Sequence, residues 1–495
     1  MGDELVDYKM YIGGEFVDGI NKNYMSTTNP ATGKAWARIP NGDTDDVNKA
    51  VDAAKTCFES NEWKRLSPTE RGRLLYKLAD KITRNSERIA KVETKDNGKL
   101  FKEMNSQIKK LPSWFEYYAG LSDKMEGTVI PQTNKNILNY TLKEPLGVVA
   151  AFAPWNSPLL LTTFKLAPAI AAGNTVVVKP SENTSASMIE FSKLFDEVGF
   201  PPGVLNVVTG YGEKVGEPLS KHKDIDKVAF TGGTETGRSV GKNAISNFSP
   251  VTLELGGKSP NIVFEDADLE AAEAGVISGI FAASGQTCIA GSRLFIHEKI
   301  ANKFLKKLVE KTKNIKLGDP FDKNTQMGPV ATVSQLDKIE KFVEIAKDEG
   351  AQVLTGGTRE SSLDKGLYFR PTILSKVENN HTVSQEEIFG PVLSVILFSN
   401  ENEVIKKANQ SKFGLGAGIW TNDLKKAHRV AHAIESGTVW VNTYRALTFN
   451  SPFGGYKNSG VGRENGIEAM FEYMQTKSIW INLSNEIQDP FAIKL

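Results

Sequence analysis

Apolar and polar residues alternate with two different periods along most of the chain. Between residues 147 and 254, short apolar runs typical of strands buried on both faces are separated by stretches with apolar residues at helical spacing. The apolar runs predict strands at 147–153, 175–179, 204–208, 227–231 and in the segment that ends at Glu254. Such a strand–helix series predicts a mostly parallel sheet, with ligands bound at the carboxyl ends of its strands.

The second half of the chain repeats this pattern on a smaller scale. An alanine-rich helix is predicted at 269–281, followed by a strand at 293–297 and a long amphipathic helix at 299–313. The other predicted elements are strands at 351–354, 392–398 and 437–442 and helices at 334–349, 401–409 and 424–435. The pattern therefore predicts an α/β protein with two parallel sheets.

Before residue 125, the runs KMYIGG and EFVDG predict two short strands that form a hairpin at Gly13 and Gly14, and the rest is predicted to be mainly helical. One helix is predicted at 43–60, and a capping box formed by Ser67 and Glu70 predicts the start of another. A third helical stretch, 102–124, contains Pro112, which predicts a break there. We expect these helices to cover one face of the sheet that forms later in the chain.

Two β-prone segments lie outside these series. Residues 136–144 alternate well enough to predict a strand, and the run KSIWINL near the carboxyl terminus is also β-prone. The second run has no strand close to it in sequence with which to pair. Because unpaired strand edges promote association, we expect it to join a sheet in another subunit.

Composition and charge narrow the function classes. The 495 residues suffice for two or three domains, and a formal net charge of +1 without a basic block does not predict a nucleic-acid partner. The acidic amino terminus is unlike a signal peptide, and no apolar stretch approaches the ~18 residues of a membrane helix, so no membrane partner is expected. Two cysteines predict a reducing cytoplasm, and five scattered histidines predict no catalytic metal.

The segment FAASGQTCIAGSR, at 281–293, contains a candidate nucleophile, Cys288. Small residues around the thiol leave room for a ligand, and nearby backbone N–H groups would lower the pKa of the thiol. The alternative is a cysteine that serves only as a small buried hydrophobe. The glycine- and serine-rich surroundings favour the reactive thiol.

Two further segments contain groups that a nucleophile would need. Glu254, in VTLELGGKSP, stands at the end of a predicted strand, where a buried carboxylate is costly unless it is used or paired. Asn156, in AAFAPWNSP, lies between two prolines and could donate to an oxyanion. The alternatives are a solvated loop glutamate and an ordinary turn asparagine.

Seven motifs in series resemble those of the NAD(P)-dependent aldehyde dehydrogenase superfamily, in the family's order and over nearly the whole chain. They are PWN with Asn156, KPSE at 179–182, FTGGTETG at 230–237, LELGGKSP with Glu254, GQTCIAGSR with Cys288, EIFGP at 387–391 and SPFGGYK at 451–457. Each motif alone is weak evidence, whereas the ordered series is specific.

The resemblance implies an aldehyde dehydrogenase-like fold, with two parallel-sheet Rossmann-type domains and a β oligomerisation arm. The implied boundaries are 1–125 and 146–256 for an NAD-binding domain, 257–458 for a catalytic domain that carries the thiol, and 126–145 with 472–495 for the arm. An arm of this kind implies a homodimer or homotetramer formed through the carboxyl-terminal strand.

The glycines at 232, 233 and 237 follow a predicted strand and open a predicted helix, an arrangement that admits a pyrophosphate but also occurs for packing alone. The resemblance makes this a dinucleotide site, although many relatives carry serine in place of Gly233. The cofactor-binding residues that it implies are Pro154, Trp155, Lys179, Ser181, Glu182, Phe230, Thr231, Gly232, Gly233, Gly237, Leu255, Glu387 and Phe389. Glu182 would accept from ribose hydroxyls and repel a 2′-phosphate, which favours NAD over NADP.

The resemblance also implies a reaction sequence. Cys288 attacks an aldehyde, Asn156 stabilises the oxyanion, hydride passes to the nicotinamide, and Glu254 assists hydrolysis of the thioester. Lys165 and Glu464 fit a proton path behind Glu254, although Lys165 would equally suit a helix surface. Relatives that transfer the acyl group to coenzyme A generally lack the glutamate, so its presence favours a free acid product.

The substrate pocket implied by the resemblance is lined by Leu161, Phe164, Phe453 and the loop at 444–449. Ser157 stands where several relatives carry a bulkier side chain, which suggests a roomier entrance. Arg445 could hold a carboxylate, which suggests a semialdehyde acid or a ring-cleavage product, or it could face solvent as loop arginines usually do. An aromatic aldehyde is a further candidate. The alternatives are a broad-specificity aliphatic aldehyde dehydrogenase, a thiol esterase and a binding protein without activity.

Overall fold

The computed structural model of the protein describes residues 5–363, 365–485, 489 and 491. The end of the predicted arm, at 486–488, 490 and 492–495, lies outside the described residues, as do residues 1–4 and 364. Within the described ranges, no helix is both long and apolar enough to cross a membrane.

The amino-terminal part combines short strands with long helices. Its elements are β1 (Val6–Asp7), β2 (Met10–Ile12), β3 (Glu15–Val17), β4 (Tyr24–Asn29), β5 (Lys34–Pro40), α1 (Thr44–Glu59), α2 (Asn61–Lys64), α3 (Pro68–Asn97), α4 (Phe101–Ile108) and α5 (Leu111–Leu121). The predicted capping box at Ser67 and Glu70 is confirmed. The predicted break is confirmed too, because Pro112 lies in the first turn of α5, where its missing N–H costs nothing.

The middle part alternates strands and helices as predicted. Its elements are β6 (Val129–Ile130), β7 (Ile137–Pro145), β8 (Val148–Ala153), α6 (Pro158–Ala172), β9 (Thr175–Pro180), α7 (Ala186–Val198), β10 (Leu205–Val207), a π-helical turn (Gly212–Gly216), α8 (Glu217–Ser220), β11 (Lys227–Thr231), α9 (Thr234–Ser246) and β12 (Val251–Glu254). These strands form a sheet of order β12-β11-β8-β9-β10 in which all neighbours are parallel. The antiparallel hairpin β2–β3 extends its β10 edge.

The second half builds another mostly parallel sheet. Its elements are β13 (Pro260–Val263), α10 (Leu269–Phe281), β14 (Arg293–His297), α11 (Glu298–Lys313), α12 (Val333–Asp348), β15 (Gln352–Thr355), β16 (Thr372–Ser375), α13 (Thr382–Gln385), β17 (Val392–Phe398), α14 (Glu401–Asn409), β18 (Phe413–Gly414), β19 (Gly416–Trp420), α15 (Leu424–Ala433), β20 (Thr438–Val441), β21 (Tyr456–Lys457), β22 (Gly460–Val461), α16 (Glu468–Phe471) and β23 (Met474–Asn482). The sheet order is β15-β16-β17-β14-β13-β19-β20, with only the β15 edge antiparallel. Strand β22 instead pairs with β12 of the first sheet, so the chain crosses back after β20.

The prediction that the early helices share one face of the first sheet is wrong. Val149 and Ala151 of β8 pack with the core that contains α3 and α5, whereas Val148 and Ala150 pack with α1. Strand β23 has a partner in its own chain, since it pairs antiparallel with β7 over nine residues, and it forms the edge of that sheet, so its joining a sheet in another subunit stays a prediction. The two strands are far apart in sequence, so local reading of the tail could not reveal the pairing.

Candidate active site

Two cavities meet at Cys288. The strand-edge cavity, of about 750 Å³, lies at the carboxyl ends of β8, β9, β11 and β12. The helix-side cavity, of about 690 Å³, lies among α4, α6 and the loop at 445–448. Cys288, Asn156 and Leu161 line both cavities. The predicted nucleophile and the predicted oxyanion donor are therefore together at the junction.

A strained turn presents the thiol. After α10 ends at Phe281, Ala283 and Ser284 adopt left-handed φ values of 54° and 55°, and Gly285 follows at 70°. The Ser284 hydroxyl donates to the Gly328 carbonyl at 2.7 Å and fixes the turn. Non-glycine residues in this conformation persist only when their surroundings hold them, and they cluster at functional sites.

The glycine pair of LGGKSP allows close approach to the thiol loop. A Cβ on Gly257 would lie 2.4 Å from the Cys288 carbonyl oxygen, and one on Gly256 would lie 2.3 Å from a carboxylate oxygen of Glu387. The Gly257 N–H donates to Glu387 Oε1 at 2.9 Å. These glycines therefore bring the Glu254 strand, the thiol loop and the Glu387 carboxylate together, which a side chain at either position would prevent.

The expectation that the Cys288 thiol has a lowered pKa is wrong. Burial raises the pKa of Cys288 to about 12, and the Glu387 and Glu254 carboxylates add to this, whereas backbone N–H groups at Ile289 and Cys288 lower it. The backbone groups act in the expected direction, but loss of solvent outweighs them. Formation of the thiolate therefore needs a proton acceptor or an added positive charge close by.

Glu254 is the last residue of β12 and is buried. Neither of its carboxylate oxygens has a hydrogen-bond partner among the described residues. Burial raises the pKa of Glu254 well above its ordinary value, Glu464 raises it further, and Lys165 opposes both. An unpaired carboxylate that favours its protonated form is suited to proton exchange rather than to a structural ion pair.

Lys165 is not a helix-surface lysine. Its side chain is 1% exposed, and its ammonium donates to Glu464 Oε1 and Thr231 Oγ1, both at 2.5 Å. The second oxygen of Glu464 has no partner among the described residues. The charges of this buried pair act on the pKa of Glu254, but no hydrogen bond joins the pair to Glu254 among the described residues, and the proton path stays a prediction.

Asn156 is held by neighbours that the sequence did not single out. Its side-chain amide donates to the Gln286 carbonyl at 2.9 Å, and its own carbonyl accepts from Asn97 Nδ2 at 3.5 Å. Gln286 is held in turn, because its side-chain oxygen accepts from the Ala331 N–H at 2.8 Å. The amide is thus fixed directly to the loop that carries Cys288.

The strand-edge cavity collects nearly all of the predicted cofactor residues. Those in its wall are Pro154, Trp155, Lys179, Ser181, Glu182, Phe230, Thr231, Gly232, Gly233, Leu255, Glu387 and Phe389. Gly237 does not line the cavity, because it lies one turn into α9, where a Cβ would be 2.3 Å from Leu255. Residues that the sequence analysis missed include Gly212, Glu213, Glu217, Glu235, Gln335 and Lys338.

The shape of this wall fits a dinucleotide. A Cβ on Gly233 or Gly212 would meet nothing within 4 Å, so the wall is open at both positions. Gly233 is also the amino-terminal cap of α9 and supplies no side chain, which leaves the first N–H groups of the helix for an anion. At the far side, Lys179 pairs with Glu182 at 3.0 Å, and the Glu182 side chain remains 33% exposed.

The helix-side cavity contains all five predicted substrate residues, Ser157, Leu161, Phe164, Arg445 and Phe453. The sequence analysis missed the contribution of residues 99–110, in and around α4, namely Lys99, Lys102, Glu103, Ser106, Gln107 and Lys110. The Lys99 ammonium donates to the Ser157 hydroxyl at 2.8 Å, and both residues are buried. The lining of this cavity therefore combines apolar residues with polar and mainly cationic ones.

Comparisons with known proteins agree on one family. A model of the aldehyde dehydrogenase family matches residues 16–479. A relative from Acinetobacter baylyi, (Z)-2-((N-methylformamido)methylene)-5-hydroxybutyrolactone dehydrogenase, is 47% identical and covers 98% of this chain and 99% of its own. The NAD⁺ complex of an aldehyde dehydrogenase from Bacillus cereus has a TM-score of 0.95 at 44% identity and covers 97% of both chains. Betaine aldehyde dehydrogenase from Staphylococcus aureus, also an NAD⁺ complex, has a TM-score of 0.97 at 40% identity and covers 99% of this chain and 97% of its own.

Proposed function

The chain belongs to the aldehyde dehydrogenase family, and we propose that Cys288, Asn156 and Glu254 oxidise an aldehyde to its carboxylic acid with NAD as cofactor. The resemblance drawn from the seven motifs is thereby confirmed, as are the predicted fold class and the prediction of an enzyme. The observation that carries the proposed mechanism is the position of Cys288 and Asn156 in the walls of both cavities.

NAD is the cofactor of the enzyme, and the strand-edge cavity is the place that fits it. The open positions at Gly233 and Gly212 and the uncapped start of α9 would admit the pyrophosphate. Glu182 would accept from a ribose hydroxyl and repel a 2′-phosphate, which favours NAD over NADP. Once bound, NAD supplies the acceptor for the hydride that the aldehyde carbon loses.

The first bond forms between sulfur and the aldehyde carbon. The Cys288 thiol passes its proton to a water molecule, the sulfur attacks the carbonyl carbon, and the carbonyl oxygen becomes an oxyanion. The Asn156 side-chain amide and the Cys288 backbone N–H would stabilise this charge. Loss of hydride from the same carbon leaves a thioester on Cys288.

Water then releases the acid. Glu254 takes a proton from water, the hydroxyl oxygen attacks the thioester carbon, the carbon–sulfur bond breaks, and the acid leaves. The raised pKa of Glu254 makes its carboxylate a stronger base than an ordinary glutamate. Lys165, Glu464 and Thr231 form a buried hydrogen-bonded group that would receive that proton if a water molecule joined it to Glu254.

A carboxylated aldehyde is the substrate class that we favour. The A. baylyi relative is named for a 5-hydroxybutyrolactone, which is the ring-closed form of a 4-oxo acid, an aldehyde that carries a carboxylate. Arg445 lines the helix-side cavity, as a carboxylate-binding residue should. Aromatic aldehydes and unbranched aliphatic aldehydes remain the alternatives.

The test is NADH formation by the purified chain with neutral, aromatic and carboxylated aldehydes. We expect turnover that Cys288→Ala abolishes, because no sulfur is left to form the thiohemiacetal. Hydrolysis of activated esters without NAD reduction would support a thiol esterase instead. Failure of every aldehyde to reduce NAD, with no ester hydrolysis, would favour a binding protein and overturn the proposal.

We also propose how the protein assembles, where its domains divide and in which compartment it acts. The β7–β23 sheet exposes Leu138, Leu142, Trp480 and Ile481, which supports association as a homodimer or homotetramer through the carboxyl-terminal strand. Separate cores under the two large sheets support division near residue 256 into an NAD-binding and a catalytic domain. The free thiols Cys57 and Cys288 support a cytoplasmic location. Light scattering on the purified chain would test the assembly.

A further inference from the structure

The helix-side cavity contains a buried ammonium group that the reaction sequence does not use. Lys99 follows the glycine that ends α3, is 3% exposed, and donates from its ammonium to the Ser157 hydroxyl at 2.8 Å. Both residues are in the cavity wall. Because Ser157 is short, the positive charge lies at the surface of the cavity. Its hydrogen-bond partner is neutral, and although the Glu103 and Glu93 carboxylates favour its charge, burial still lowers its pKa, so the buried charge is costly.

Arg445 supplies a second cation to the same cavity. One nitrogen of its guanidinium donates to the Ser278 carbonyl at 3.0 Å, and its backbone has a left-handed φ of 63°, which side chains rarely adopt. Burial lowers the pKa of Lys99 to about 8; Glu103 opposes this, and the charge of Arg445 adds to it. The two cations therefore repel each other across the cavity, and an anion between them would relieve the repulsion.

The cavity lining also contains residues suited to a short carbon chain. Leu161, Phe164 and Phe453 are buried apolar residues of this lining, to which Cys288 also belongs. Lys102 also lines the cavity, but its ammonium donates to the Thr325 carbonyl at 2.6 Å and is engaged there. Lys99 and Arg445 are thus the cations best placed for an anionic group that is linked to the aldehyde.

We propose, on the basis of the proposed function, that Lys99 and Arg445 together bind the carboxylate of an oxo-acid substrate and make the enzyme selective for it. Ser157 is part of this site, because its hydroxyl holds the Lys99 ammonium at the cavity wall. Charged hydrogen bonds from the two cations would hold the carboxylate, while the apolar residues of the lining contact the carbon chain. Lys99 is accordingly a specificity-determining residue.

Glu103 provides the competing interpretation. Its carboxylate lines the same cavity, and one of its oxygens has no partner among the described residues. If its charge dominated, the cavity would prefer a cationic aldehyde. Four cationic side chains, Lys99, Lys102, Lys110 and Arg445, stand against this one carboxylate, which favours an anion.

The first experiment compares three aldehydes of similar length: 4-oxobutanoate, its methyl ester and 4-(trimethylammonio)butanal. We expect kcat/KM to be about ten- to a hundred-fold higher for the acid than for the ester, in proportion to the strength of charged hydrogen bonds. Lys99→Met and Arg445→Met should each remove most of that ratio, by lowering kcat/KM for the acid far more than for the ester. Lys99→Arg should restore part of it.

The control is Lys109→Met, which removes the same charge at the end of α4 from a residue outside the cavity wall. It should preserve the preference for the acid. Equal kcat/KM for acid and ester in the unmodified enzyme, or a preference for the cationic aldehyde, would overturn the proposal.

A second experiment needs no turnover, so it separates failure of this proposal from failure of the proposed function. Cys288 is alkylated with 5-bromolevulinate or its methyl ester, and the modified peptide is followed by mass spectrometry. Both reagents need the same thiolate, so the ratio of their rates reports only recognition of the carboxylate. We expect the rate with the acid divided by the rate with its ester to be about ten-fold lower in Lys99→Met and Arg445→Met. An unchanged ratio would overturn the carboxylate site, whatever the dehydrogenase assay shows.

Discussion

The two cavities that meet at Cys288 differ in what builds them. The strand-edge cavity is formed where β8, β9, β11 and β12 end, by backbone and by residues that directly follow strands. The helix-side cavity is formed by side chains of α4, α6 and the loop at 445–448, which are far apart in sequence. The place of the strand-edge cavity follows from the parallel sheet itself. The lining of the helix-side cavity depends on which side chains the helices and the loop carry.

The cavities also differ in charge. Six carboxylates line the strand-edge cavity, against two lysines, Lys179 and Lys338; the carboxylates are those of Glu182, Glu213, Glu217, Glu235, Glu254 and Glu387. The helix-side cavity has four cations and one carboxylate. Cys288 lines both cavities, and the Glu387 and Glu254 carboxylates of the strand-edge cavity raise the pKa of its thiol. Because most of the charged groups belong to one cavity only, substitutions in one cavity should alter binding there and leave the other cavity's lining unchanged.

The largest effect on activity should come from Glu254→Gln, in the wall of the strand-edge cavity. Without the base, thioester hydrolysis should slow by about 10²- to 10⁴-fold, while a first burst of NADH, at most one per Cys288, survives. Rapid-mixing absorbance measurements of NADH give both quantities. Glu435→Gln, which changes an exposed surface carboxylate, serves as the control.

A different result would reassign the carboxylate. If burst and steady state fall together, Glu254 acts on the thiol before hydride loss rather than on water afterwards. If neither changes, Glu254 is not the base.

The sequence predicted the strand-edge cavity well because its residues follow a fold rule. Asn156, Lys179, Gly232 and Glu254 each stand at or just after the end of a predicted strand, where the fold rule places ligands, and all four line the cavity. Gly237 was the exception, because a glycine one turn into a helix looks the same in sequence whether it contacts a phosphate or packs against Leu255.

The helix-side cavity was predictable only through family resemblance. Lys99 follows a helix-ending glycine and resembles an exposed loop lysine, because nothing nearby in sequence shows that Ser157 will cover it. Strand β19 was missed for a related reason. Its sequence GAGIW looks too rich in glycine for a strand, yet a Cβ on Gly418 would lie 2.5 Å from the Tyr444 ring. In both cases the decisive partner comes from a distant part of the chain.

Glu182→Gln tests whether cofactor binding can be changed without changing aldehyde binding, and its effect on kcat/KM should be smaller than that of Glu254→Gln. Loss of this carboxylate removes repulsion of a 2′-phosphate and frees the Lys179 ammonium, which now pairs with Glu182 at 3.0 Å. The ratio of kcat/KM for NADP to that for NAD should rise about ten-fold. The KM for the aldehyde should stay the same, because Glu182 does not line the helix-side cavity. A matching change in aldehyde KM would show that the cavities are coupled.

The smallest expected effect is a shift in the pH dependence of kcat, caused by the charged groups that act on the pKa of Glu254. Glu254 acts as a base only when deprotonated, so its raised pKa should make activity fall, as pH decreases, at a higher pH than for an ordinary glutamate. Glu464→Gln removes a negative charge that raises this pKa and leaves the Lys165 cation, which lowers it. The acidic limb of the kcat profile should therefore move to lower pH. Glu472→Gln should move it in the same direction but less, because Glu472 ranks below Glu464 among the groups that raise this pKa and its side chain is 29% exposed. A limb that stays in place in both variants would mean that it reports a group other than Glu254.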